Sequence, residues 1–176
     1  QHRPIAPGRL SPAMAMTFGS ACLIAGVASA FAVSGTTGLI LLTYATTNIL
    51  YVLWLKHIVI LDVMCIALGF VFRVMAGAAA TDVKPSNWLL LCTFLLALFL
   101  GVSKRRQEVA TLATDGSKHR KVLGDYSIAW LDQAGTMLAG TAVVAYALYT
   151  MSPETQARFR TDHLIYTVPF VLYGIL

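Results

Sequence analysis

The sequence predicts an all-α fold, a polytopic bundle of transmembrane helices, and three observations carry that prediction. Hydrophobic residues make up 57% of the 176 and charged residues only 12%, against roughly 25% charged in an ordinary soluble domain. Apolar runs cover about 12–33, 36–55, 58–80, 87–103, 127–150 and 164–176, and most of them have or approach the ~20 residues that carry a helix across a bilayer. These runs are continuously apolar, whereas a transmembrane barrel alternates apolar and polar residues, so the backbone must satisfy its hydrogen bonds within helices.

Each boundary has a local cause. "SGTTG" (34–38) separates the first two spans, "TDVKPS" (81–86) the third and fourth, and "SPETQARFRTDH" (152–163) the fifth and sixth; all three are rich in turn formers or charge. The long "SKRRQEVATLATDGSKHRKVLGDYS" (103–127) has room for structure of its own. Glu108 to Ala113 reads as a continuation of the preceding helix, "TDGSK" as a break, and "HRKVLGDYS" as a short helix or turn into the next span. The expected layout is five full spans and a sixth that stops at Leu176 in mid-span. Residues 1–176 are therefore expected to be an internal piece of one transmembrane domain, with further helices before and after it.

Charge sets the expected orientation. The odd-numbered connections hold Arg3, Arg9, Lys56, Lys104, Arg105, Arg106, Lys118, Arg120 and Lys121, whereas the even ones hold Lys84, Arg158 and Arg160. The positive-inside rule places the odd connections in the cytoplasm. By itself this gives "KRR" (104–106) a bland reading, a topogenic flag after a span. Cys22, Cys65 and Cys92 fall inside apolar runs at unrelated spacings and read as packing residues, and the four histidines make no helical i, i+4 pair of the kind zinc sites use. No nucleic-acid partner is expected. Self-association into a homo-oligomer stays open.

The intramembrane charges carry more information. Asp62, Ile66, Gly69, Arg73 and Gly77 recur at helical spacing, so one stripe bears an acid near the cytoplasmic end, a cation deeper down and glycines between and beyond. Asp62 and Arg73 are about 16 Å apart along the axis at 1.5 Å per residue and cannot pair with each other, so each needs another partner. A charge at that depth costs roughly 2.5–3.5 kcal/mol on insertion scales. For Arg73 the alternatives are a polar cavity, an interhelical ion pair, or snorkelling toward the outer surface. At the cytoplasmic ends lie Arg3, Arg9, Asn48, Tyr51, Lys56, Asp62, Lys104, Arg105, Glu108, Arg120, Lys121, Asp125, Tyr126 and Asp132. Such a ring suits a multiply phosphorylated substrate: guanidinium forks grip phosphate, ammonium groups add point charge, and carboxylates hold a divalent ion.

"RPIAPG" (3–8), "YVLWLKH" (51–57), "LDVMCIALGFVFRVMAGAAAT" (61–81), "FLGVSKRRQEV" (99–109), "HRKVLGDYS" (119–127) and "PFVLYGIL" (169–176), in this order, resemble the decaprenyl-phosphate phosphoribosyltransferases, a branch of the UbiA-type intramembrane prenyltransferases. The resemblance runs over essentially the whole chain. It implies a nine-helix bundle around a central cavity, facing the cytoplasm from a bacterial inner membrane. It also implies Mg2+, held chiefly by an N-D-x-x-D-x-x-x-D motif that normally precedes the "RPIAPG" segment and is absent from these residues. Where aromatic prenyltransferases carry a carboxylate-rich second motif, this chain has "SKRRQE" (103–108), which suits a donor that brings an additional phosphate.

The implied reaction transfers 5-phosphoribose from phosphoribosyl diphosphate to a polyprenyl phosphate, a step toward cell-wall arabinan precursors. Lys56, Lys104, Arg105, Arg3, Asn48, Tyr51 and Tyr126 are the expected phosphate ligands. Glu108 and Asp62 are the expected catalytic carboxylates, with Glu108 a secondary metal ligand or the residue that orients Lys104 across one turn. Arg73, Arg120 and Lys121 are further candidates, the last two alternatively a solvated loop face. The competing readings are an aromatic polyprenyltransferase of the 4-hydroxybenzoate type and, from another class, a transporter or scaffold in which Asp62 and Arg73 serve gating or packing.

Overall fold

A computed structural model describes residues 11–115 and 127–176. Every regular element among the described residues is helical: α1 (Pro12–Val33), α2 (Gly35–Leu53), a 3₁₀ turn (Leu55–His57), α3 (Leu61–Ala80), α4 (Asn87–Asp115), α5 (Ile128–Met151), α6 (Pro153–Phe159), a second 3₁₀ turn (His163–Thr167) and α7 (Val168–Ile175). Helices α1 to α5 are each long and apolar enough to cross a membrane. Each packs chiefly on its neighbours in sequence, and α6, the second turn and α7 gather on α5. Large apolar side chains such as Phe18, Ile24, Trp54 and Met137 stand exposed along the spans, as they would toward lipid.

Capping explains the boundaries. Ser11 accepts from the Met14 N–H, with Pro12 in the first turn where its missing donor costs nothing. Ser34, a lone extended residue, ends α1 and caps α2 by accepting from the Thr37 N–H at 3.0 Å. The hairpin is that tight because Gly38 leaves room: a Cβ there would lie 2.4 Å from the Phe31 ring. Ser127 and Ser152 cap α5 and α6 in the same way.

Two boundaries differ from the sequence reading. Span three begins at Leu61, not 58, because the chain first makes the Leu55–His57 turn and then passes through Ile60 at φ 72°. That conformation strains a β-branched residue by on the order of 1–3 kcal/mol. Helix α4 runs beyond the apolar stretch that ends near 103, as the continuation over Glu108 to Ala113 anticipates, and carries the cations on to Asp115, 29 residues in all. Lys, Arg, Gln and Glu are good helix formers, so nothing breaks the helix where it leaves the apolar run. The stretch 164–176 divides into a 3₁₀ turn and the short α7.

Two cross-links show which connections share an end. Arg158 donates to the Lys84 carbonyl at 3.3 Å, joining the 81–86 and 152–163 connections. At the other end Arg105 of α4 reaches Asp62 of α3, five residues beyond His57. The Lys56 turn and "SKRRQE" therefore lie at one end of the bundle, as the charge pattern requires; Arg3 lies outside the described residues.

The core beneath that end is Val63, Val102 and Leu131, from α3, α4 and α5, with Val59, Leu98 and Val109 packed around it. A Cβ on Gly101 would meet Val63 Cγ1 at 2.6 Å. Gly101 is one turn before Arg105 and Val63 is next to Asp62, so this notch sets how closely α3 and α4 approach where the ion pair forms. Gly101→Ala is expected to destabilise the protein by about 1–3 kcal/mol through overpacking, and Val63→Ala in the same chain should restore most of the loss, as read by thermal unfolding in detergent.

Candidate functional site at one end of the bundle

Two polar clusters lie among the helices. In the first, Asp62 in the opening turn of α3 is 0% exposed and Arg105 is 4% exposed. Arg105 Nε donates to Asp62 Oδ2 at 2.7 Å, and Nη1 donates to Glu108 Oε2 at 2.5 Å. Asp62 also sits where the helix N-terminus favours an anion. The partner that Asp62 requires is thus supplied by α4.

The cations of "KRR" separate accordingly. Successive helical residues point about 100° apart, so an inward Arg105 leaves its two neighbours turned outward. Lys104 is exposed. Arg106 Nε donates to Asp132 Oδ1 of α5 at 2.7 Å, with both side chains 50% exposed, a surface pair worth about 0.2–1 kcal/mol. Lys56 is half-buried in its 3₁₀ turn. Glu108, expected to orient Lys104, instead bonds Arg105 one turn back; the shorter i, i+3 reach to a buried guanidinium wins over an exposed ammonium.

The second cluster is a cavity of about 190 Å³ between α2 and α3, lined by Tyr44, Asn48 and Tyr51 on one side and by Ile66, Gly69 and Arg73 on the other. Arg73 Nη2 donates to Tyr44 Oη at 2.7 Å. The guanidinium carbon stands 5.4 Å from the Tyr44 ring centroid and 5.2 Å from that of Phe70, within cation–π range. Gly69 lies against the same ring: a Cβ there would rest 3.4 Å from the Tyr44 ring, in ordinary van der Waals contact. Arg73 thus has an interhelical partner in Tyr44, while its side chain remains exposed. Tyr44 is the residue sequence reasoning missed. Its signal was available, because Tyr44, Asn48 and Tyr51 fall at i, i+4 and i+7 on one face.

Asn48 uses its Nδ2 on the Tyr44 carbonyl at 2.8 Å, which leaves its side-chain oxygen toward other partners. The expected residues Arg3, Arg120, Lys121 and Tyr126 lie outside the described residues. Among the described residues no three of His, Cys, Asp and Glu gather as a metal site, and Asp62 and Glu108 both face Arg105. On their own these side chains do not form a magnesium cage.

Five helices long and apolar enough to span a membrane, with buried charge and a cationic rim at one end, define a polytopic integral membrane protein. The chain belongs to the UbiA prenyltransferase family, whose pattern it matches over residues 1–174. It is similar to proteins called decaprenyl-phosphate phosphoribosyltransferase. It is 30% identical over 152 residues to that of Mycolicibacterium smegmatis, covering 86% of this chain and 48% of the relative. Against that of Corynebacterium glutamicum it is 31% identical over 149 residues, 84% of this chain and 45% of the relative. Against that of Mycobacterium tuberculosis it is 25% identical over 175 residues, 98% of this chain and 58% of the relative. The chain thus spans about half the length of the curated relatives it matches.

Proposed function

We propose that the full-length protein transfers 5-phosphoribose from phosphoribosyl diphosphate to a polyprenyl phosphate and releases diphosphate. The observation that carries this reading is the cation-rich "SKRRQE" at the end of the bundle that also holds Lys56, where the resemblance implies a carboxylate-rich segment in aromatic prenyltransferases. Cations there answer a donor that brings a 5-phosphate as well as a diphosphate. The relatives' shared name supports the same substrates.

In the transfer, a lipid phosphate oxygen attacks the anomeric carbon of ribose as the C–O bond to diphosphate breaks. A phosphate monoester is already an anionic nucleophile, so no base has to create it, and the protein's task is positioning and charge stabilisation. Lys56 and Lys104 neutralise the departing diphosphate and the 5-phosphate, while the Tyr51 hydroxyl donates to phosphate and the Asn48 side-chain oxygen accepts from a ribose hydroxyl. Arg3, Tyr126, Arg120 and Lys121 extend the rim in this proposal. Magnesium enters through the family resemblance, with its principal donors from outside the described residues and Glu108 as a secondary ligand. The rim faces the cytoplasm of a bacterial inner membrane in this reading.

Phosphoribosyl diphosphate binding to the full-length protein in detergent, titrated with and without magnesium, tests the proposal; absence of binding under both conditions favours a scaffold or transporter. A second expectation concerns the cavity. Arg73→Leu in the full-length protein should reduce turnover at least tenfold while lowering the unfolding midpoint by only a few degrees, and Tyr44→Phe should reproduce part of the loss. Equal effects on turnover and folding would make Arg73 a packing residue.

A further inference from the structure

Of the three consecutive cations, only Arg105 is withdrawn from solvent, and the structure gives it two carboxylates. Its Nε is bound to Asp62 of α3 and its Nη1 to Glu108 of its own helix, with the Arg105 and Asp62 side chains 5% and 0% exposed. The Gly101 notch seats α4 against Val63 one turn away. Lys104, its exposed neighbour, is turned by about 100°. A guanidinium so engaged fixes both the depth and the rotation of α4 on α3, and hence the direction in which Lys104 points.

We propose that Arg105 is a positioning residue, a buried strut between Asp62 and Glu108 that aims Lys104 at the donor phosphates without itself touching the donor. This rests on the phosphoribosyl-transfer reading above. It divides "KRR" into an inner strut, a donor-facing lysine and a surface link from Arg106 to Asp132, and it makes Asp62 part of the strut and not a reacting carboxylate.

The test uses the full-length protein with phosphoribosyl diphosphate as the probe. Arg105→Met alone should lower the unfolding midpoint and weaken donor binding at least tenfold. The paired change Asp62→Leu with Arg105→Met replaces a buried ion pair by apolar side chains, an exchange that proteins often tolerate. It should bring both the midpoint and the donor Kd back to within about threefold of the parent. A midpoint that recovers while donor binding stays weak would overturn the proposal, because the missing guanidinium would then be a ligand. Where the pair does not refold, Asp62→Asn decides. Weaker donor binding than the parent supports the strut, whereas unchanged or tighter binding, from a guanidinium released toward the donor, contradicts it. A parent that does not bind phosphoribosyl diphosphate defeats the functional reading, and the stability cycle across Asp62 and Arg105 still reports whether the strut exists.

Discussion

Arg105→Ala in the full-length protein is expected to lose about 3–5 kcal/mol of stability, the largest effect of any single change at this end of the bundle. The cause is less the lost attraction than what remains, because Asp62 is fully buried and its carboxylate would keep its desolvation cost without the Nε that offsets it. Asp62→Ala should cost less, because Arg105 keeps its Glu108 partner when Asp62 is removed. The two together should cost clearly less than the sum, since neither side chain is then left as an uncompensated charge. Thermal or denaturant unfolding in detergent reads all three, and strict additivity would show that the 2.7 Å contact carries little energy.

Lys104→Ala should leave folding and membrane insertion intact and raise the donor's apparent KM roughly ten- to hundredfold. A charge-assisted contact is worth about 1.5–3 kcal/mol, and each 1.4 kcal/mol is tenfold in binding. Topology should survive because Lys56, Arg106 and the other cations at the same end preserve the charge bias. Steady-state kinetics with varied phosphoribosyl diphosphate check the prediction, and a KM equal to the parent's would return Lys104 to the topogenic reading.

How much could be read without coordinates depended on the kind of signal. The five spans were legible because long apolar runs have one solution in a bilayer, and Ser34 and Ser152 mark helix starts by their chemistry. That Asp62 and Arg73 each required a partner was also legible, from the cost of burying charge. Which partner was not. Asp62 and Arg105 are 43 residues apart in sequence, and their meeting depends on how α3 and α4 dock, a matter of Gly101 and Val63 fitting together. For the same reason Lys104 and Arg105 read as a pair of phosphate ligands, whereas helix rotation sends them to different places. The Ile60 strain was equally hidden, because no residue type announces a positive φ at an isoleucine.

The most direct measurement places full-length protein in lipid vesicles with polyprenyl phosphate and phosphoribosyl diphosphate labelled in the ribose. The account predicts that label moves into the lipid fraction with one diphosphate released per ribose transferred, and that Lys104→Ala slows this at low donor concentration. Absence of lipid-borne label, while the same vesicles attach a polyprenyl chain from polyprenyl diphosphate to an aromatic acid, would contradict it.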